Sequence, residues 1–122
     1  MTAGFPNLFM MTGPGSPSVL ANMITGLEHH ADYIGGIIEW ADRQKLDGVE
    51  PSQQAEDDWV DVVNMRADET LFPRCNSWYL GANVPGKPRV FMPYVGFPSY
   101  VERLRAIREA NYQGFEAVDG SG

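Results

Sequence analysis

Leu8-Phe9-Met10-Met11 is apolar on both faces, which suits a strand buried in a sheet covered on two sides. The chain offers few neighbouring strands, so its pairing partners are expected elsewhere. Gly13, Pro14 and Gly15 then form a turn, with Ser16 as N-cap and Pro17 as first helical residue. The helix is expected to run from Pro17 to about Arg43. Leu20, Met23, Ile24, Leu27, Ala31, Ile34, Ile38 and Ala41 recur at helical spacing as one buried stripe, and Val19, Tyr33, Ile37 and Trp40 widen it. A helix this apolar needs cover over most of its circumference. Gly26, Gly35 and Gly36 each weaken it by about 1 kcal/mol relative to alanine, and are expected to admit the close approach of another backbone.

Asp47-Gly48 closes this helix. A second, introduced by Pro51 and acidic at Glu56, Asp57 and Asp58, buries Ala55, Trp59, Val62, Val63 and Ala67 and ends near Thr70. A loop from Arg74 to Ser77 leads to Trp78-Tyr79-Leu80, then to a segment, Gly81 to Pro88, too rich in glycine and proline for regular structure. Arg89 to Val95 reads as a strand that Pro93 demotes to an edge or a bulge. A third helix, capped by Ser99, runs to about Asn111 with Tyr100, Leu104 and Ile107 inward and Arg103, Arg105 and Arg108 mostly outward. Gly114 separates it from a short strand, Phe115 to Val118, and Asp119 to Gly122 is expected to be a disordered tail.

The alternation of strands and helices predicts an α/β fold. With 43% hydrophobic and 11% aromatic residues in 122, the composition is that of a folded domain. Charge is unevenly placed: 3 basic and 12 acidic residues up to Pro73, then 6 and 4. Nucleic acid is therefore a poor partner for the first part, and the later arginines read as scattered surface charge. The single cysteine, Cys75, excludes an internal disulfide and a multi-cysteine zinc site. No apolar run approaches the roughly 20 residues that span a bilayer, so a soluble, cytoplasmic protein without membrane contact is expected.

Three places could carry chemistry. A helix opening after Gly13, Pro14, Gly15 and Ser16 would present free N–H groups and the positive end of its dipole to an anion or a cofactor, or would be simply a capped turn. No GxSxG elbow makes a serine here a nucleophile. His29 and His30 are neighbours and point about 100° apart on a helix, so they do not chelate a metal as an i, i+4 pair would. One of them is expected to hydrogen-bond within a packed interface, near Asp32 or Glu28. Trp78 and Tyr79, ahead of the glycine- and proline-rich loop and Lys87, are either core anchors or parts of a lid.

PNLFMMTGPGSPSVLANM from Pro6, ADETLFP from Ala67, SWYLGANVPGKPRVFMPYVG from Ser77 and NYQGFE from Asn111 together resemble the C-terminal end of Baeyer–Villiger monooxygenases. These are class B flavoproteins with bound FAD and NADPH as reductant. The resemblance covers about Phe5 to Val118. It implies a partial fold: the C-terminal strand–helix piece of a Rossmann-like FAD-binding domain plus two further helices and short strands, spanning residues 1–118. It further implies that backbone at Gly13, Pro14, Gly15, Ser16 and Met23 lies beside the flavin, and that Ser18, Val19 and Leu20 edge the substrate pocket. By the same resemblance, residues 77–96 contain a mobile loop whose Trp78 donates its indole N–H to the ribose of the nicotinamide nucleotide.

The family's two dinucleotide glycine motifs, its FxGxxxHxxxW fingerprint and the arginine beside its flavin have no counterpart in these 122 residues, and Gly96-Phe97 stands where a double glycine is common. No catalytic residue is assigned. The expected function is that of the C-terminal piece of an FAD- and NADPH-dependent enzyme converting ketones to esters or lactones, not active by itself. Two alternatives remain. One is an interaction module that docks to a full-length enzyme or to itself through the apolar helix 17–43, and the other is a small-molecule binding domain using the head of that helix.

Overall fold

A computed structural model describes residues 1–88 and 90–119, and it is built around one long helix, α1, Met23–Gln44. Asn22 starts it: its side chain accepts from Ile24 N–H at 3.0 Å and Thr25 N–H at 3.2 Å, satisfying two donors that a helix start leaves open. The expected start at Pro17, capped by Ser16, does not occur. Ser18–Leu20 forms one 3-10 turn, and an extended Ala21 separates it from α1. Lys45 ends the helix in a left-handed conformation, φ 57°, so that α1 stops at Gln44, one residue past the expected end near Arg43.

After α1 come β1, Gly48–Pro51, α2, Gln53–Asp68, two 3-10 turns at Phe72–Arg74 and Trp78–Leu80, α3, Phe97–Glu109, and β2, Phe115–Val118. β1 and β2 pair antiparallel, with Val49 opposite Ala117 and Pro51 opposite Phe115. Among the described residues this is the one ladder. No strand forms over Leu8–Met11: its neighbours Asn7 and Thr12 turn left-handed, and Asn7 instead exchanges hydrogen bonds with Val49 on β1. From 90 to 95 the expected edge strand is a connector without strand geometry, because Pro93 has no N–H to continue a ladder. Arg89 lies outside the described residues, as do positions 120–122 of the expected tail.

α2 is capped by Ser52, whose side chain accepts from Ala55 N–H. For α3 the cap residue is Gly96 rather than Ser99, whose hydroxyl donates back to the Gly96 carbonyl at 3.0 Å. The helices and the β-ribbon enclose a core of Tyr33, Ile37, Val49, Val63, Tyr94, Tyr100, Leu104 and Tyr112. A second cluster, Ala67, Leu80 and Phe91, packs under the Trp78 turn. Arg108, expected to point outward, hooks back onto α1, with Nη2 3.2 Å from both the Asp32 carbonyl and carboxylate.

α1 buries only part of the expected stripe: Tyr33 and Ile37, expected to widen it, lie in the core, and Trp40 and Ala41 pack against it. Gly26, His30, Tyr33 and Ile37 face the core, whereas Met23, Ile24, Leu27 and Ile38 are exposed, Ile24 by 71%. Turned at about 100° per residue, the two stripes lie side by side on the helix. One meets the protein's own core, and the other is uncovered.

Of the three glycines expected to admit another backbone, only Gly36 has a close neighbour, and what approaches it is side chains rather than backbone. A Cβ there would lie 2.6 Å from Tyr112 Oη and 3.1 Å from an Arg108 nitrogen, whereas one at Gly26 or Gly35 would meet nothing within 4 Å. Gly36→Ala is therefore expected to destabilise by about 1–2 kcal/mol, overpacking outweighing the helical gain, while Gly35→Ala stabilises by up to about 1 kcal/mol. Urea denaturation of the two variants checks this opposition of sign.

Candidate functional site

The turn before α1 is anchored from three directions. Thr12 N–H donates to His30 Nδ1 on α1 at 3.1 Å, and Trp59 Nε1 on α2 donates to the Gly15 carbonyl at 2.9 Å. The connector before α3 supplies the third anchor: Gly15 N–H donates to the Met92 carbonyl at 2.7 Å and Tyr94 N–H to the Ser16 carbonyl at 2.8 Å. Ser16 is buried, and its hydroxyl donates to the Gly13 carbonyl at 2.7 Å, closing the turn on itself. Gly15 has φ +78°, a conformation that glycine adopts without strain.

These bonds narrow the set of groups a ligand could use. The N–H groups of Gly15, Ser16, Leu20, Ala21, Ile24 and Thr25 are taken internally, and Pro14 and Pro17 have none. Among the described residues, the N–H groups of Gly13, Ser18, Val19 and Met23 have no partner in the fold. Of the residues singled out in the sequence, Gly13 and Met23 thus offer backbone donors, Gly15 and Ser16 shape the turn, and Pro14 is an exposed corner. Val19, Leu20 and Met23 are exposed at 54%, 39% and 42%, so the turn opens directly onto the uncovered stripe of α1. The helix head lies at Met23, not at Pro17, and Asn22 already occupies two of its donors.

Trp78 stands apart from this turn. It is 59% exposed, stacks on Tyr79 with ring centroids 4.2 Å apart, and its loop, Gly81–Pro88, lies largely on the surface. A groove of about 610 Å³ between α2 and the 73–76 loop is lined by Asn64, Arg74, Cys75 and Phe91 and includes none of the glycine turn.

His30, not His29, makes the interface bond expected of the pair, and its partners are Thr12 and Tyr100 rather than an acid. Burial lowers the pKa of both imidazoles. His29 lies edge-on to Phe97 and Tyr100. No cluster of three metal-binding side chains occurs among the described residues, and no described helix is long and apolar enough to cross a membrane.

No family model matches the chain. A phenazine N-monooxygenase of Lysobacter antibioticus is 36% identical over 93% of the chain and 21% of its own length. A Baeyer–Villiger monooxygenase of Pseudooceanicola batsensis is 36% identical over 92% of the chain and 20% of its own length. Among solved structures, a steroid monooxygenase bound to NADP superimposes with a TM-score of 0.84 at 43% identity, covering 96% of this chain and 21% of that one. Fold and sequence define a segment of the flavin monooxygenase class. The chain corresponds to the C-terminal part of Baeyer–Villiger and related flavin monooxygenases. It spans about a fifth of the length of the relatives it matches.

Proposed function

We propose that this chain forms the C-terminal wall of the flavin site in an FAD- and NADPH-dependent monooxygenase that converts ketones to esters or lactones, and that residues 1–118 act there as one unit. The observation that carries the reading is the uncovered apolar stripe of α1, continuous with a glycine turn whose remaining N–H groups point to no partner in the fold. Such a surface fits a flavin edge, a flat apolar ring with hydrogen-bond acceptors along its rim. It also needs the cover that a longer chain supplies, and the relatives are about five times longer.

When bound, the flavin supplies the redox chemistry and the oxygen transfer. This chain's own residues hold and exclude. Gly13 and Met23 would offer N–H groups to the ring, and the positive end of α1 would favour negative charge there. Ser18, Val19 and Leu20 edge the substrate pocket. Trp78, exposed on its loop, would supply an indole N–H to the nicotinamide nucleotide and would shield the site from water were the loop to close. By itself the chain is expected to bind neither cofactor strongly.

A chimera tests this: the steroid monooxygenase with its matching C-terminal fifth replaced by this chain. It is expected to retain FAD and to couple NADPH oxidation to oxygenation of substrate. A folded chimera that loses FAD would overturn the proposal. The same exposed stripe supports a second reading, docking onto another copy of the chain, which predicts a dimer in sedimentation that FAD does not affect.

A further inference from the structure

Just ahead of the glycine turn, Thr12 holds a left-handed backbone, φ 52°, which a β-branched residue adopts only under strain. Its N–H reaches His30 Nδ1 at 3.1 Å. A backbone N–H only donates, so Nδ1 carries the lone pair. In the neutral ring Nε2 then carries the proton and donates to Tyr100 Oη at 2.8 Å. His30 is 6% exposed and Tyr100 equally buried, so the bond between them is shielded from water, while the bond to Thr12 is part-buried.

We propose that His30 is the positioning residue of the glycine turn: through Thr12 it fixes where the Gly13 N–H stands and hence how the turn meets the flavin. The inference rests on the reading of this turn as a flavin contact. His30 itself lies behind the turn and acts only through it. Three elements meet at its ring: α1 carries it, α3 supplies Tyr100, and the loop supplies Thr12, so a shift of either helix is passed to the turn.

The bond to Thr12 exists only while the ring is neutral, because a protonated Nδ1 would set N–H against N–H. The titratable groups facing it are His29 on its own helix, Tyr100 on α3 and the terminal amine of Met1. Burial first, then His29 and the amine, lower its pKa. Burial pushes the Tyr100 hydroxyl up, so this partner stays neutral. A lowered folded pKa means that the bond contributes fully above the ordinary value of 6.5 and is lost as pH falls from there through the folded value.

The test uses the 122-residue chain and the chimera. In the chain, nitrogen NMR is expected to show His30 with its proton on Nε2 and a slowly exchanging Thr12 amide that His30→Leu frees. In the chimera, His30→Leu is expected to shift the visible flavin spectrum and raise uncoupled NADPH oxidation several-fold. His30→Asn, which keeps an acceptor near the Nδ1 position, should restore most of both. Leu104→Ala, a core change matched in melting temperature, should leave the spectrum unchanged. If His30→Leu behaves like Leu104→Ala, the proposal fails. Gly15→Ala, which distorts the turn directly, separates the two levels: a spectral shift there alone refutes the role of His30, and no shift in either variant refutes the flavin reading itself. Should His30→Leu not fold, Tyr100→Phe decides, since it keeps the ring and removes only the Nε2 acceptor. Faster Thr12 exchange in that variant supports the proposal, and unchanged exchange overturns it.

Discussion

Tyr94→Ala is expected to lower stability by about 3–5 kcal/mol, the cost of removing a large aromatic side chain from a packed core. Tyr94 is 1% exposed, and its ring lies 5.7 Å from that of Trp59 and 5.4 Å from that of Tyr100, measured between centroids. Those rings belong to α2 and α3, so the cavity would open where the two helices meet the connector. Domains of this size have a total stability of about 5–15 kcal/mol, and the variant would melt about 10–20 °C lower. Tyr94→Phe is the control. The hydroxyl's contact with Ser99 Oγ is long, 3.4 Å, so its loss is expected to cost under about 1 kcal/mol. Circular dichroism melts of both variants check the contrast; equal, small losses would mean that the ring does not sit at this junction.

The same residue shows why the site was only partly legible in the sequence. The glycine turn announces itself through Gly13, Pro14 and Gly15, and local signals also place α2, α3 and β2 close to their true limits, since their start and stop residues are near neighbours in the chain. The anchors of the turn are not near neighbours. Trp59, Met92 and Tyr94 reach Gly15 and Ser16 across 44 or more residues, and no periodicity encodes such a contact. β1 was missed for a similar reason: Gly48–Pro51 contains a glutamate and a proline and becomes a strand only because β2 returns beside it.

Two competing local signals explain the shifted start of α1. Ser16-Pro17 and Asn22 are both good helix starts, and Pro17 is instead drawn into the buried turn, leaving Asn22 to cap. Periodicity marks an apolar stripe on α1, but it does not say what covers it, and much of the stripe expected to be buried is exposed. A signal for His30 was present, because Gly26, His30, Tyr33 and Ile37 follow the four-three-four spacing of a second helical face. It was hidden by the stronger stripe beside it, the one now exposed.

Gly15→Ala is expected to cost about 2–5 kcal/mol and to release the turn. A left-handed alanine loses about 1–2 kcal/mol, and overpacking adds about 1–3 kcal/mol. A Cβ at Gly15 would stand 2.8 Å from Trp59 Nε1 and 3.0 Å from Cδ1. The indole has little room to withdraw, for Tyr94 and Tyr100 pack against it and its N–H is bound to the Gly15 carbonyl. Gly13→Ala differs in kind. Its Cβ would lie 2.9 Å from Met10 Cβ, an atom held by the backbone, so the 10–13 segment itself would have to shift, but Gly13 has no left-handed backbone to add to that cost. A double-mutant cycle isolates the clash: combining Gly15→Ala with Trp59→Leu should cost less than the sum of the two changes, by a coupling of about 0.5–3 kcal/mol. Simple additivity would place the cost in the backbone alone. In the chimera, the coupled pair should still lose FAD retention even where stability recovers, because leucine at position 59 has no N–H to hold the Gly15 carbonyl and the turn loses that anchor.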